Sequence, residues 1–163
     1  MSNNVTRLLD SKKIFYQVFN LPEEKLGAQE TAKRLNVSAN MVYKTIVATR
    51  PKPGKTILAV IPGDHQLDLK ALAQILKEKK VSLPTEREAE SITGLQAGGI
   101  SPLALINKGF QVLIDSQAES MEIIHISGGQ RGLNIRMSAT DLAVLTRAQF
   151  CKISRPIDPG EES

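Results

Sequence analysis

The side chain best placed to do chemistry is Lys44, which interrupts the apolar run Val42-Tyr43-Lys44-Thr45-Ile46-Val47-Ala48. If that run is a strand, alternation puts Lys44 on the face of Val42, Ile46 and Ala48. Its amine then either turns to the interior or is released to solvent by a twist or an edge position. An inward ammonium loses hydration, and an anionic or carbonyl partner must offset the loss. Two glycine-rich stretches offer surfaces on which such a partner could rest. In Gly98-Gly99-Ile100-Ser101-Pro102 the glycines let backbone N–H groups turn toward one point, and Pro102 fixes the exit of the loop. In Ser127-Gly128-Gly129-Gln130-Arg131-Gly132, backbone donors, the Ser127 hydroxyl and the Arg131 guanidinium lie together, a set suited to phosphate or carboxylate. Each stretch also reads as an ordinary turn, and the second as a hairpin turn.

Other chemistry finds little support. His65 and His125 are far apart, with no paired-histidine motif, so neither a metal nor a cofactor is expected. The single cysteine, Cys151, rules out an intramolecular disulfide and has no local group to activate it as a nucleophile. No nucleophile elbow, lysine-serine phosphate loop or dinucleotide fingerprint occurs.

The 163 residues, 41% of them hydrophobic, suffice for one domain with a core. We assign residues 1–155 to that domain and 156–163 to a disordered tail. A net charge of +4 allows weak attraction to a polyanion without proving one, since basic and acidic residues alternate. Tryptophan is absent and aromatics are 4%, which excludes a surface that grips single strands by stacking many bases. No apolar run approaches the roughly 18 residues of a membrane span. Met1-Ser2-Asn3-Asn4 lacks a signal-peptide pattern, so no membrane partner and a cytoplasmic location are expected.

The elements that must position these residues follow from periodicity and punctuation. Helices are predicted from a cap at Asn4, over Ala28 to Leu35 ending at Asn36, after Asp68, from the Thr85/Glu88 capping box to Gly94, and from Ser138 with Asp141. Strands are predicted at Ile14 to Phe19, Tyr43 to Thr49, Lys55 to Ile61, Val81 to Leu83, Gln111 to Asp115, Met121 to Ser127, Leu133 to Met137 and Phe150 to Ile153. The second and third of these form an antiparallel hairpin. Because strands follow one another without a helix between each pair, the expected fold is α+β, a single domain around a mixed, curved, barrel-like sheet with flanking helices.

Taken in order, Val42-Tyr43-Lys44-Thr45, Gln66-Leu67-Asp68-Leu69-Lys70, Gly98 to Pro102 and Ser127 to Gly132 followed by Leu133 resemble the YbaK family of aminoacyl-tRNA deacylases. The resemblance runs from the first helix to about Ile153 and is closest to members that act on Cys-tRNA(Pro), the mischarged product of prolyl-tRNA synthetase. It implies a trans-editing hydrolase, or a lyase-type release of the amino acid, with mischarged tRNA(Pro) as partner and prolyl-tRNA synthetase as a further one. On the family's pattern Lys44, Gly98 and Gly99 are the catalytic positions. Tyr43, Thr45, Ile100, Ser101, Pro102, Ser127, Gly128, Gly129 and Arg131 are substrate-binding. The resemblance also implies that the substrate's own thiol attacks its carbonyl, so that the protein supplies position and electrostatics. The chain departs from the pattern at Asn134, where an acidic residue is common, at Leu26 or Gly27 in place of a phenylalanine, and at Val18 in place of an aromatic. These positions bear on which amino acid is removed. Two other readings are a non-catalytic module binding aminoacyl-tRNA ends or nucleotides, and a Lys44 Schiff-base enzyme; borohydride trapping separates the latter.

Overall fold

Strand β3, Ile57–Pro62, explains the layout, because all six of its residues are buried. A strand covered on both faces reads as an unbroken apolar run, and this one lies inside a four-stranded sheet. A computed structural model describes residues 3–51 and 53–158. Within them β1 (Tyr16–Asn20), β2 (Tyr43–Ala48), β3, β4 (His65–Leu67), β5 (Gln111–Asp115), β6 (Ile123–Ser127), β7 (Leu133–Ser138), β8 (Gln149–Cys151) and β9 (Ser154–Pro156) make three sheets. Their orders are β1-β7-β6, β2-β3-β5-β8 and β4-β9. The four-stranded sheet is mixed: β2 and β3 are antiparallel with Lys44 opposite Ile61, whereas β3/β5 and β5/β8 are parallel.

The helices are α1 (Asn4–Ser11), α2 (Ala28–Leu35), α3 (Leu69–Leu76), α4 (Glu86–Thr93), α5 (Gln117–Met121) and α6 (Ala139–Thr146). On one face of the central sheet Tyr43, Val47, Leu58, Val60 and Ile114 pack against α1, α6 and the three-stranded sheet. On the other face Ala48, Ile57, Ala59 and Ile61 meet Leu72, Ala73 and Leu76 of α3. Each fully buried leucine or isoleucine here contributes about 1.5–3 kcal/mol of transfer free energy.

The α+β class holds, and so does the antiparallel β2–β3 hairpin, but the barrel-like sheet does not. Among the described residues a single bridge joins Val42, just before β2, to His125 of β6, and the two strands are not paired beyond it, so no sheet closes. Sequence periodicity also missed β4, α5 and β9, all five residues or shorter, and placed a strand at Val81 to Leu83 where only Ser82 bridges to Thr49. The first helix is capped by Asn3 rather than Asn4, through a bond from Thr6 N at 2.9 Å. β9 includes Pro156; of the tail assigned above, residues 159–163 lie outside the described residues.

The short C-terminal strand is tied down by a buried polar cluster. Asp115 accepts from Ile153 N at 3.2 Å, Ser154 Oγ at 2.8 Å and Gln117 N at 3.1 Å, while His65 Nδ1 lies 2.8 Å from Ser154 Oγ. Asp115→Ala would strand these donors. We expect it to lower the free energy of unfolding in urea by about 3–5 kcal/mol, in line with breaking a buried charged network. A loss below about 1 kcal/mol would show that the cluster holds nothing together.

Candidate active site

Where β2 parts from β6, the gap widens into a cavity of about 420 Å³. The exposed edge of β2 forms one wall, because β2 ends the order of its sheet. The loop before α2, the start of α4, the loop at 97–100 and the ends of β6 and β7 form the others. Among the residues singled out in the sequence, Tyr43, Lys44, Thr45, Gly98, Ile100 and Ser127 line this space. Gly99, Ser101, Pro102, Gly128, Gly129 and Arg131 do not.

Lys44 is half-buried, and its Nζ donates to the Gly63 carbonyl at 3.4 Å. Alternation has put it on the side of Ile46 and Ala48, as the apolar run implied. Burial holds its ammonium pKa below the ordinary lysine value of 10.5, and the nearby Asp64 carboxylate opposes part of that effect. Below the lowered value the amine is charged both folded and unfolded, and its desolvation cost is fully in force. As pH rises from there to 10.5 the folded state loses its proton first, so this group's contribution to stability improves through that window. Any reaction that needs the ammonium fades over the same window. We therefore expect the alkaline limb of kcat/KM to fall below pH 10.5 and to move lower still in Asp64→Asn. A limb unmoved by that substitution would separate Lys44 from the activity.

Beside the lysine, Tyr43 Oη and Thr45 Oγ1 are buried and make no hydrogen bond among the described residues. Burial, with the Asp115 and Asp64 charges, keeps the Tyr43 phenol protonated well above its usual range. A polar group buried without a partner costs about 1–3 kcal/mol.

The two glycine loops pack against each other. Arg131 Nε donates to the Ala97 carbonyl at 2.6 Å, and a Cβ on Gly99 would lie 2.8 Å from Gln130 Cα and 2.9 Å from Arg131 N. Gly99 thus marks where loop meets loop, not where backbone meets ligand. Its N–H closes a turn on the Gln96 carbonyl at 2.8 Å. The N–H groups of Gly98, at φ +89°, and of Ile100 donate to no acceptor among the described residues, and both residues border the cavity. Ser101 is fully buried and caps the short Pro102–Leu105 turn by accepting from Leu103 N at 3.2 Å. Ser127 Oγ accepts from Gly129 N at 3.2 Å, which leaves the hydroxyl's own proton for a ligand.

Among the described residues no hydroxyl that lines this space is hydrogen-bonded to a base that would activate it as a nucleophile. Cys151 lies outside the cavity lining, and burial, aided by Asp115, pushes its thiol up to about 11. Among the described residues no cluster of His, Cys, Asp and Glu is arranged to hold a metal ion. Sequence reading gave Asn134 only a bearing on which amino acid is removed, and the structure places it in the cavity lining, opposite Ser127 in the β6–β7 register. It also missed the ion pair between Lys25 and Glu86 at the rim, since those residues are 61 positions apart.

Residues 22–145 match the aminoacyl-tRNA editing domain. The chain belongs to the YbaK family of such domains. It is 32% identical over 153 residues to an Enterococcus faecalis protein provisionally named Cys-tRNA(Pro)/Cys-tRNA(Cys) deacylase EbsC, covering 93% of this chain and 92% of that one. It is also 24% identical over 113 residues to the proline–tRNA ligase of Geobacter metallireducens, covering 69% of this chain and 19% of the ligase. Family membership extends to the fold: a crystal structure described provisionally as a trans-editing enzyme for prolyl-tRNA synthetase superposes with a TM-score of 0.79 at 21% identity, over 95% of this chain and 99% of that one. The matched residues take in all of the cavity lining except Leu21.

Proposed function

We propose that this protein deacylates mischarged tRNA in trans, with Cys-tRNA(Pro) as its substrate and the 3′ aminoacyl end seated in the cavity. The observation that carries the reading is the pairing of a half-buried ammonium, Lys44, with two unengaged backbone N–H groups, Gly98 and Ile100, around one space. Donors of both kinds fit an ester carbonyl and its developing oxyanion, and a preorganised donor of this sort is typically worth about 2.7–4 kcal/mol in the transition state. The name of the Enterococcus relative supports the same substrate.

With no base-activated enzyme nucleophile at hand, the thiol of the substrate cysteine attacks its own carbonyl carbon. A carbon–sulfur bond forms, the ester carbon–oxygen bond breaks, and the thiol proton passes to the ribose oxygen so that the tRNA leaves as its free hydroxyl; the cysteine leaves as a four-membered cyclic thioester, which water then opens to free cysteine. The protein's part is to hold sulfur and carbonyl in reach and to stabilise the oxyanion. Ser127 offers its hydroxyl to the bound end, and Tyr43 and Thr45 form the wall beside Lys44. On this reading the editing domain spans residues 1–155, prolyl-tRNA synthetase is a partner, and the protein works in the cytoplasm, where charged tRNA is made. No helix among the described residues is long and apolar enough to cross a membrane.

A deacylation panel over Cys-, Ala- and Ser-charged tRNA(Pro) tests the proposal. Substrate-assisted attack requires the cysteine ester to be cleaved and the alanine ester to persist. Equal loss of all three would require an external nucleophile. tRNA binding should also weaken steeply with salt, because a net charge of +4 with few aromatics leaves phosphate contacts as the main source of affinity. Binding that is unchanged between 50 and 200 mM salt, a range over which about six phosphate contacts would lose roughly 10³-fold, would contradict a polyanion partner.

A further inference from the structure

His125 is 1% exposed, in the middle of β6, and uses only one of its two ring nitrogens. Its Nδ1 lies 2.9 Å from Asn134 Oδ1, its ring meets Phe19 edge-on at 5.4 Å, and its Nε2 is buried with no partner among the described residues. Asn134 in turn lines the cavity, and no acceptor takes its amide protons. Two arrangements satisfy the contact. A proton on Nδ1 donates to Oδ1, leaves Nε2 as a bare acceptor and turns the Asn134 Nδ2 donors toward the cavity. A proton on Nε2 requires the carboxamide to be reversed, strands a buried N–H and presents an oxygen to the cavity instead. Orphaned buried N–H groups are the rarer fault in folded proteins, which favours the first arrangement.

We propose that His125 is a positioning residue that locks the Asn134 carboxamide with its Nδ2 toward the cavity, so that this wall recognises an oxygen acceptor of the ligand and disfavours a cationic group. The identity of that oxygen, a carbonyl or sugar oxygen of an aminoacyl-tRNA end, rests on the function proposed above; the orientation of the pair does not. Burial, together with the positive charge of Arg136, lowers the His125 pKa below its ordinary value, while the bond to Asn134 opposes them; a neutral ring is consistent with the proposal.

Two measurements test this. Long-range proton–nitrogen NMR of the ¹⁵N-labelled wild-type protein at neutral pH should show His125 protonated at Nδ1 and bare at Nε2. The opposite tautomer, or a doubly protonated ring, overturns the proposal, and this result needs neither tRNA nor turnover. In deacylation of Cys-tRNA(Pro), Asn134→Asp should raise KM about tenfold or more, the loss of one hydrogen bond to an oxygen that now faces a carboxylate. An unchanged or lower KM would show that the wall prefers a cation, and overturns the proposal. His125→Gln, which keeps a donor for Oδ1, should stay nearer to wild type in KM than His125→Leu. Equal behaviour of the two folded variants would also overturn it. Should the wild type deacylate no tRNA, the function proposed above fails while the tautomer measurement still decides the orientation.

Discussion

Replacing Lys44 by alanine is expected to lower single-turnover deacylation about 30- to 800-fold, equivalent to the loss of about 2–4 kcal/mol of transition-state stabilisation. The position of the amine is the reason. It sits at the cavity wall with one long bond, to the Gly63 carbonyl at 3.4 Å, so most of its hydrogen-bonding capacity is unspent until a ligand arrives. A charged group held in that condition is costly to the fold, and the depressed pKa records the cost. Thermal stability of Lys44→Ala should therefore hold or rise slightly, even as activity falls. Near-wild-type turnover would remove Lys44 from the mechanism, and an unfolded variant would make it a structural residue.

The second large effect is expected at Gly99, for a reason the sequence could not supply. An alanine Cβ there meets backbone atoms of Gln130 and Arg131 at 2.8–2.9 Å, and backbone cannot step aside as the end of a flexible side chain can. The two glycine loops must separate, moving Gly98 and Ile100, which border the cavity with unengaged N–H groups. Gly99→Ala should cost about 1–3 kcal/mol of stability through overpacking. It should also cost about 10²-fold in turnover through the displaced donors. Sequence reasoning expects turnover to suffer far more than folding; the loop-to-loop contact makes both fall. A variant of unchanged stability and activity would show that the loops give way freely.

How much could be read without coordinates is best judged from these residues. Lys44 was legible because a strand's period of two makes one charged residue among β-branched neighbours conspicuous. The capping box at Thr85 and Glu88 and the left-handed stop at Asn36 were legible because caps are local chemistry. The division of labour inside the glycine loops was not. That Gly98 and Ile100 face the cavity, while Gly99 and Arg131 join one loop to the other, depends on contacts some thirty residues apart. The open seam between β2 and β6 was equally hidden, since no strand carries a mark of where it parts from its neighbour. His125 read as an apolar-run histidine that packs or faces away, and Asn134 as a departure from a pattern; only the β6–β7 register brings them together.

Release of cysteine from Cys-tRNA(Pro), with enzyme in excess and Pro-tRNA(Pro) as the control, tests the central claim most directly. Release by the wild-type protein well above the spontaneous rate, its loss in Lys44→Ala and persistence of the prolyl ester are the predicted results. Spontaneous-rate release from Cys-tRNA(Pro), or equal cleavage of the prolyl ester, would contradict the account.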